Sequence, residues 1–339
     1  MIFYKILIFI LFINIKLYSQ LYVSESDWDL HLNLKDVNHI VKYENSIYCF
    51  SSLGLYSLDL SDNSISRNLN ALDLDDLSVR ATAQDSNYFF LGTASGTIEI
   101  ISGNKKKTLN LSEDNSVIDI NSISLFKNNL FVSTSSGVFN VSLDGLFIKE
   151  VYRYFESDSE VKNILKTVVN DSAIYVLSDD KVYHFSYVNR NPLDYNLWEE
   201  MYFMDDYPIG IFEFNDLIYY YSTTNIYNQE KKIFFSSIDR QIKKVKEYNG
   251  KIYVLTTDQQ NNDHLGFVED GKIISYSTPE EIKEITDFLV YKNELWISSL
   301  DDGLFNVDNM MSFSPNNSVA STFHNLVTYE NTIFGLSDS

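Results

Sequence analysis

The sequence predicts an all-β protein, a seven-bladed β-propeller with a partial eighth repeat at the C-terminus. Three observations carry that expectation. Short runs of alternating apolar residues, separated by Asn and Gly turns, recur along the chain. An aromatic residue marks the second run of each unit, at steps of about 40 residues, the period of propeller blades. The composition agrees: 24 Tyr, 23 Phe and 3 Trp in 339 residues supply the aromatic faces that packed strands favour.

The clearest unit is residues 125–143. An alternating run reaches a turn at Asn128-Asn129, and a second run, Leu130-Phe131-Val132-Ser133, follows. Gly137 then turns the chain into Val138-Phe139-Asn140-Val141. This is an antiparallel meander. Aligning the second run of every unit on its aromatic gives Tyr48, Phe90, Phe131, Tyr175, Tyr219, Tyr253, Trp296 and Phe334, the step from Tyr219 to Tyr253 being the shortest.

The turn before each anchor is expected at Glu44-Asn45, Asn128-Asn129, Asn170-Asp171, Asn249-Gly250, Lys292-Asn293 and Glu330-Asn331, residue types that tolerate the positive φ of tight hairpins. The turn after it falls on Gly54, Gly96 and Gly137. Asn225 is expected to take left-handed φ in the fifth unit, Gly303 is displaced by one in the seventh, and Lys181 demands a different turn in the fourth. The sixth unit has a longer loop, 258–263. Seven units therefore show at least three strands, and the eighth, 323–339, shows two.

A lone sheet exposes both faces, so neighbouring units must stack, and a closed ring of seven sheets does this while leaving only short edges. Trp296 is expected to lie buried between blades. Residues 27–34 are expected to supply a strand that closes the ring, and 279–288 is the one candidate helix.

Residues 1–19 read as a signal peptide. Lys5 lies in a short basic start, Ile6 to Ile13 form an apolar core, and small Ser19 precedes Gln20. The apolar run is shorter than the roughly 20 residues that span a bilayer, and Lys16 ends it. The rival reading is an uncleaved N-terminal anchor. No later stretch is long and apolar enough to be transmembrane. The expected organisation is thus a signal peptide at 1–19, a seven-bladed propeller at 20–313, and an incomplete repeat at 314–339 that resembles the start of a second propeller. The protein is expected to be exported, to the periplasm or the outer-membrane surface.

The net charge of −21 argues against nucleic acid as a partner, because phosphates demand Lys and Arg, and against simple adsorption to an anionic membrane. Cys49, the single cysteine, reads as a buried hydrophobe. There is no nucleophile elbow, phosphate loop or HExxH. His31, His39, His184, His264 and His324 show no metal-ligand spacing. Acidic groups at Asp73, Asp75 and Asp76, at Asp205-Asp206, at Asp301-Asp302 and at Asp258 with Asp263 lack the calcium-loop pattern and read as solvated loop tips. Tyr219-Tyr220-Tyr221 read as blade core rather than a sugar-stacking platform. No catalytic, cofactor-binding or metal-ligating residue is assigned, no cofactor is expected, and the protein is expected not to be an enzyme.

Several stretches together resemble a known family. They are Asp27-Trp28-Asp29-Leu30-His31, Leu53-Gly54-Leu55-Tyr56-Ser57-Leu58-Asp59, Asn70-Ala71-Leu72, Gly96-Thr97-Ile98-Glu99-Ile100 and Asn191-Pro192-Leu193-Asp194-Tyr195-Asn196-Leu197-Trp198. In this order the chain resembles the N-terminal β-propeller of the PorZ family, components of the Bacteroidota type IX secretion system. Two departures are visible. Ala71 stands where the family has Gly, and the family continues into a second propeller and a sorting domain, whereas this sequence ends at Ser339, so a truncated form is expected.

The resemblance implies a non-catalytic scaffold or binding subunit of the attachment complex at the cell surface. Homologues of PorU, PorV and PorQ are the expected partners, and lipopolysaccharide is a possible ligand. The alternative is the periplasmic ligand-sensing propeller of a two-component-regulator type protein. A propeller enzyme acting on polysaccharide would need convergent carboxylates or histidines at the central mouth.

Overall fold

The computed structural model describes residues 34–67, 74, 76, 78–103, 105–112, 118–156, 160–187, 191–203, 206–278 and 282–315, together with the backbone of two strands at 325–329 and 332–336. The expectations for 1–19 and 27–33, and those for His31, Asp73, Asp75, Asp205 and His324, fall outside these residues.

Seven four-stranded antiparallel sheets follow one another along the chain, each built from one continuous segment in simple meander order. Blade one comprises Val37–Tyr43, Ser46–Ser51, Gly54–Asp59 and Ile65–Ser66. Blade two comprises Val79–Gln84, Phe89–Thr93, Thr97–Ser102 and Lys105–Asn110. Blade three comprises Ile120–Phe126, Asn129–Thr134, Gly137–Ser142 and Phe147–Tyr152. Blade four comprises Ile164–Val169, Ala173–Ser178, Val182–Ser186 and Glu199–Met201. Blade five comprises Gly210–Phe214, Leu217–Tyr221, Asn225–Tyr227 and Ile233–Ser236. Blade six comprises Gln241–Tyr248, Lys251–Thr257, Asp263–Glu269 and Lys272–Ser275. Blade seven comprises Ile285–Tyr291, Glu294–Ser299, Gly303–Asn306 and Met311–Phe313.

The seven sheets form a β-propeller contained in residues 34–316. A separate unit holds an antiparallel pair, Asn325–Tyr329 with Thr332–Leu336.

The anchors define the packing. Along the second strand, alternate residues point to opposite faces of the sheet, and each face meets a different blade. In blade five Tyr220 joins Tyr175 and Leu177 of blade four, whereas its neighbour Tyr219 joins Val245 and Val254 of blade six. Leu295 and Ile297 meet Tyr253 and Leu255 in the same way between blades six and seven. Trp296 lies between them in sequence, only 2% exposed, and packs on Phe313 with ring centroids 5.6 Å apart.

The ring closes where blade seven meets blade one. The Tyr56 hydroxyl donates to the Phe313 carbonyl at 3.0 Å and accepts from the Leu304 amide at 3.0 Å. Among the described residues, all four strands of blade seven come from 285–313. The expected closing strand from 27–34 falls outside the described residues except for Leu34; among the described residues side-chain contacts join the seam.

The candidate helix at 279–288 is corrected. Ile285–Tyr291 is the first strand of blade seven and pairs with Glu294–Ser299. The Glu-rich approach imitates a helix start, but Ile285, Phe288 and Leu289 are buried in the propeller core. Among the described residues the only helical turn is a 3₁₀ turn at Tyr195–Leu197, capped by the Asp194 carboxylate.

Two turn expectations change in detail. The positive φ of blade three falls on Lys127 rather than Asn128 or Asn129, and blade five has an unanticipated turn at Asn215-Asp216. Asn225 does not take left-handed φ. Its amide donates to the Ser222 hydroxyl at 3.0 Å, and the Lys181 amide donates likewise to Ser178 at 2.9 Å. A buried hydroxyl stands three residues after every anchor: Ser51, Thr93, Thr134, Ser178, Ser222, Thr256 and Ser299. Six of these accept an amide from the following turn. In blade six, whose loop is longer, Thr256 instead donates to the His264 carbonyl, and Asp258 caps the turn. Blades four and five lack the glycine, and there the hydroxyl holds the turn without it.

Candidate functional site

The first strand of each blade is the innermost. In six blades it carries a register irregularity at the same place, for example between Val37 and His39, between Ile164 and Lys166, and between Ile285 and Asp287. A bulge of this kind re-aims side chains at the end of a sheet. The residues just after the irregularity are His39, Ala81, Ser122, Lys166, Lys244 and Asp287. Half of them carry formal charge.

Asp287 is the hub. It has no exposure, and its Oδ2 lies 2.6 Å from His39 Nδ1 and accepts from the Ile40 amide at 3.2 Å. Its Oδ1 lies 2.6 Å from Lys246 Nζ and 3.1 Å from Lys244 Nζ. A carboxylate only accepts, so His39 Nδ1 carries the proton in this contact. His39 Nε2 is 2.8 Å from the Thr82 hydroxyl. Lys244 also donates to the Thr286 carbonyl, and Lys246 to that of Phe288. One carboxylate thus links blades six, seven, one and, through His39, two. Burial alone would raise the Asp287 carboxyl, but Lys246, Lys244 and His39 outweigh it and hold the group well below the usual carboxylate range.

A second clamp joins blades six and seven. Asp263, buried, accepts from Lys243 Nζ at 2.8 Å and from the Ile285 amide at 2.7 Å. Asp263 thus belongs to an interface rather than to a solvated loop tip, which corrects that expectation. Asp258 caps its own loop and meets His264 Nε2 at 3.0 Å; that ring and the loop amides hold its carboxyl below the ordinary range. Of the other acidic positions, Asp76 accepts from Ser78, Asp206 from Thr224, and Asp302 sits in the Ser299 turn.

His184 stacks on Tyr175 at 4.9 Å. Tyr219 and Tyr220 are core residues on opposite faces, and Tyr221 packs half-buried beside Phe212. Cys49 is buried and free, and burial pushes its thiol up, so it behaves as a small hydrophobe. Among the described residues no group of three or more His, Cys, Asp or Glu is placed to hold a metal ion.

The axial cluster was not singled out from the sequence. Of its members only His39 was noted, and only as an isolated histidine. Its signal is nevertheless present: Asp287, Lys244 and Lys166 each stand on a first strand at one position relative to the anchor. The chemistry this arrangement offers is ion pairing and anion recognition; the Thr82 hydroxyl, His39 and Asp287 also form one hydrogen-bonded chain. No helix of the described residues is long and apolar enough to cross a membrane.

Comparison with known proteins gives the family context. Residues 47–199 match the family described as the type IX secretion system PorZ N-terminal β-propeller domain. No curated protein matches the sequence. Among solved structures, PorZ of Porphyromonas gingivalis, described as an essential surface component of the type IX secretion system, superposes with a TM-score of 0.68 at 14% identity. That match covers 91% of this chain and 42% of the PorZ chain, so the present sequence spans less than half of that protein. The extracellular domain of a putative one-component system of B. thetaiotaomicron gives a TM-score of 0.58 at 13% identity, covering 83% of this chain and 39% of that one. The WD40 β-propeller domain of Doa1 gives 0.54 at 12% identity over 81% and 93%. At these identities the structural matches speak for the fold alone.

Proposed function

We propose, from the premise that this chain is a PorZ-like propeller, that it serves as a non-catalytic binding subunit of a type IX secretion assembly outside the cytoplasm. The observation that carries this reading is the match of residues 47–199 to the PorZ N-terminal propeller. The propeller supports it physically. Its buried side chains are used to lock blades to one another, and Asp287 at the axis is ion-paired with cations from two other blades. A rigid ring of this kind offers loops and edges to partners.

The expected partners are homologues of PorU, PorV and PorQ. Exposed aromatic and aliphatic side chains, including Tyr202, Tyr207 and Ile238, give the outer surface apolar contact points. The test is co-purification of the folded, secreted chain with each purified homologue. Saturable binding to at least one of them is the expected result. Failure of correctly folded protein to bind any of the three overturns the reading.

A second reading has its own support in the likeness to the extracellular domain of a putative one-component system. There the propeller would sense a ligand. Gene sequence running in frame past Ser339 into a membrane span would favour it over the first.

A further inference from the structure

A cavity of about 590 Å³ is lined by Asn38 and His39 of blade one, Arg80 of blade two, Asn121 of blade three and Lys244 of blade six, with turn residues Ser51, Ser52 and Ser78 at its sides. Blades three and six are not neighbours in a seven-membered ring. Their side chains meet in one cavity only at the axis, so this is a mouth of the central channel. No carboxylate lines it. In a chain of net charge −21, that is a marked local reversal.

The cations at this place exceed their counter-charge. Asp287 is shared by Lys244, Lys246 and His39. Arg80 reaches its carboxylate, Asp119, only at 3.9 Å, with half of its side chain exposed. Lys166 occupies the position of blade four equivalent to Lys244 and Asp287. Among the described residues its ammonium makes no hydrogen bond or ion pair. Burial, with Lys246 and Lys244 nearby, brings it down to about 8. Amides and hydroxyls able to donate complete the lining together with the apolar Phe50, Val79 and Ala94. Donors and cations converging on a cavity without acid are what an oxyanion requires.

We infer that this mouth of the central channel is a binding site for a phosphate-class oxyanion, held by Arg80 and Lys244 with Asn38 and Asn121 as neutral donors, while Lys166, outside the lining, adds positive charge nearby. Lysine ammonium groups act as point charges and suit a phosphate that several residues approach from different blades. The size of the cavity admits either free phosphate or a phosphate monoester of a small molecule. The inference does not depend on the secretion reading.

Isothermal titration of the folded chain with inorganic phosphate and, separately, with glucose 1-phosphate, at ionic strength matched by NaCl, tests it. Saturable binding of one or both is expected, and the stronger of the two identifies free phosphate or a monoester as the source. Arg80→Gln, at a half-exposed side chain that folding does not need, is expected to weaken binding about tenfold, the loss of one charge-assisted hydrogen bond. Lys166→Met, which removes a neighbouring charge outside the lining, is expected to weaken it by a smaller factor while melting no lower than the parent. Absence of saturable binding by the parent chain overturns the inference, as does binding that both variants leave unchanged, which would place the anion elsewhere on the surface.

Discussion

A carboxylate without exposure stays ionised only where cations replace the water it has lost, and Asp287 has Lys246, Lys244 and His39 within 3.1 Å. Desolvation and attraction oppose one another here, so the cluster's net stabilisation is modest; removing one partner is another matter, because it strands buried charge. Asp287→Asn keeps the shape and leaves two lysines uncompensated. It is expected to cost about 3–5 kcal/mol in urea unfolding. The pH dependence has a definite sign. The folded carboxyl lies below its unfolded value of about 3.9, so its contribution is present above that pH and is lost as pH falls below it.

Lys166 behaves oppositely. Its folded value of about 8 is below the unfolded value of about 10.4, so the unfolded chain binds more protons between them and stability rises with pH across that interval. The groups that depress it, besides burial, are Lys246 and Lys244. Lys166→Met is therefore expected to melt higher than the parent at pH 7, with the difference shrinking above pH 8. A constant difference from pH 6 to pH 10 would contradict the assignment.

At the scale of the strand and turn, two devices end the second strand of a blade. Gly96 and Gly137 adopt φ of +79° and +105°, and a Cβ at Gly137 would collide with the Tyr152 carbonyl. Gly137→Val is expected to destabilise by more than about 1 kcal/mol, read as a lower urea midpoint; an unchanged midpoint would contradict the turn geometry. The buried hydroxyl three residues after the anchor acts beside these glycines, and in blades four and five Ser178 and Ser222 act without one.

The glycine device was legible in the sequence, and so were the aromatic anchors, because both repeat at a fixed offset. The hydroxyl three residues after each anchor was equally visible but reads as ordinary polar alternation until its burial is known. The fourth strands were not legible. Lys105–Asn110 and Lys272–Ser275 are short outer edges with little buried surface, so they carry no hydrophobic period. The segment before Ile285 misled for a different reason: its acidic residues favour a helix locally, and packing against blade six overrides that preference. The axial cluster was hidden because its members are far apart in sequence and meet only once the ring is closed.

At the scale of the whole molecule, stability depends on a seam between residues some 250 positions apart. Among the described residues no strand is exchanged across it. Tyr56 bonds two backbone groups of blade seven, Asp287 bonds His39 and the Ile40 amide, and the Thr286 hydroxyl donates to the Val37 carbonyl. Tyr56→Phe leaves the buried Leu304 amide and Phe313 carbonyl without this partner, and a loss of about 1–3 kcal/mol is expected in thermal or urea unfolding. Contacts of this kind make the ring cooperative, since opening the seam exposes both terminal blades at once. They also form the channel, because the same axial residues that bind blade to blade line its mouth.

The closed ring is tested most directly by a double-mutant cycle across the seam, with His39→Ala and Asp287→Asn measured singly and together by urea unfolding. A ring closed by blade seven on blade one predicts a coupling energy of about 0.5–3 kcal/mol between two residues 248 positions apart. Effects that add to within about 0.5 kcal/mol would mean that the two side chains do not meet, and the closure described here would be wrong.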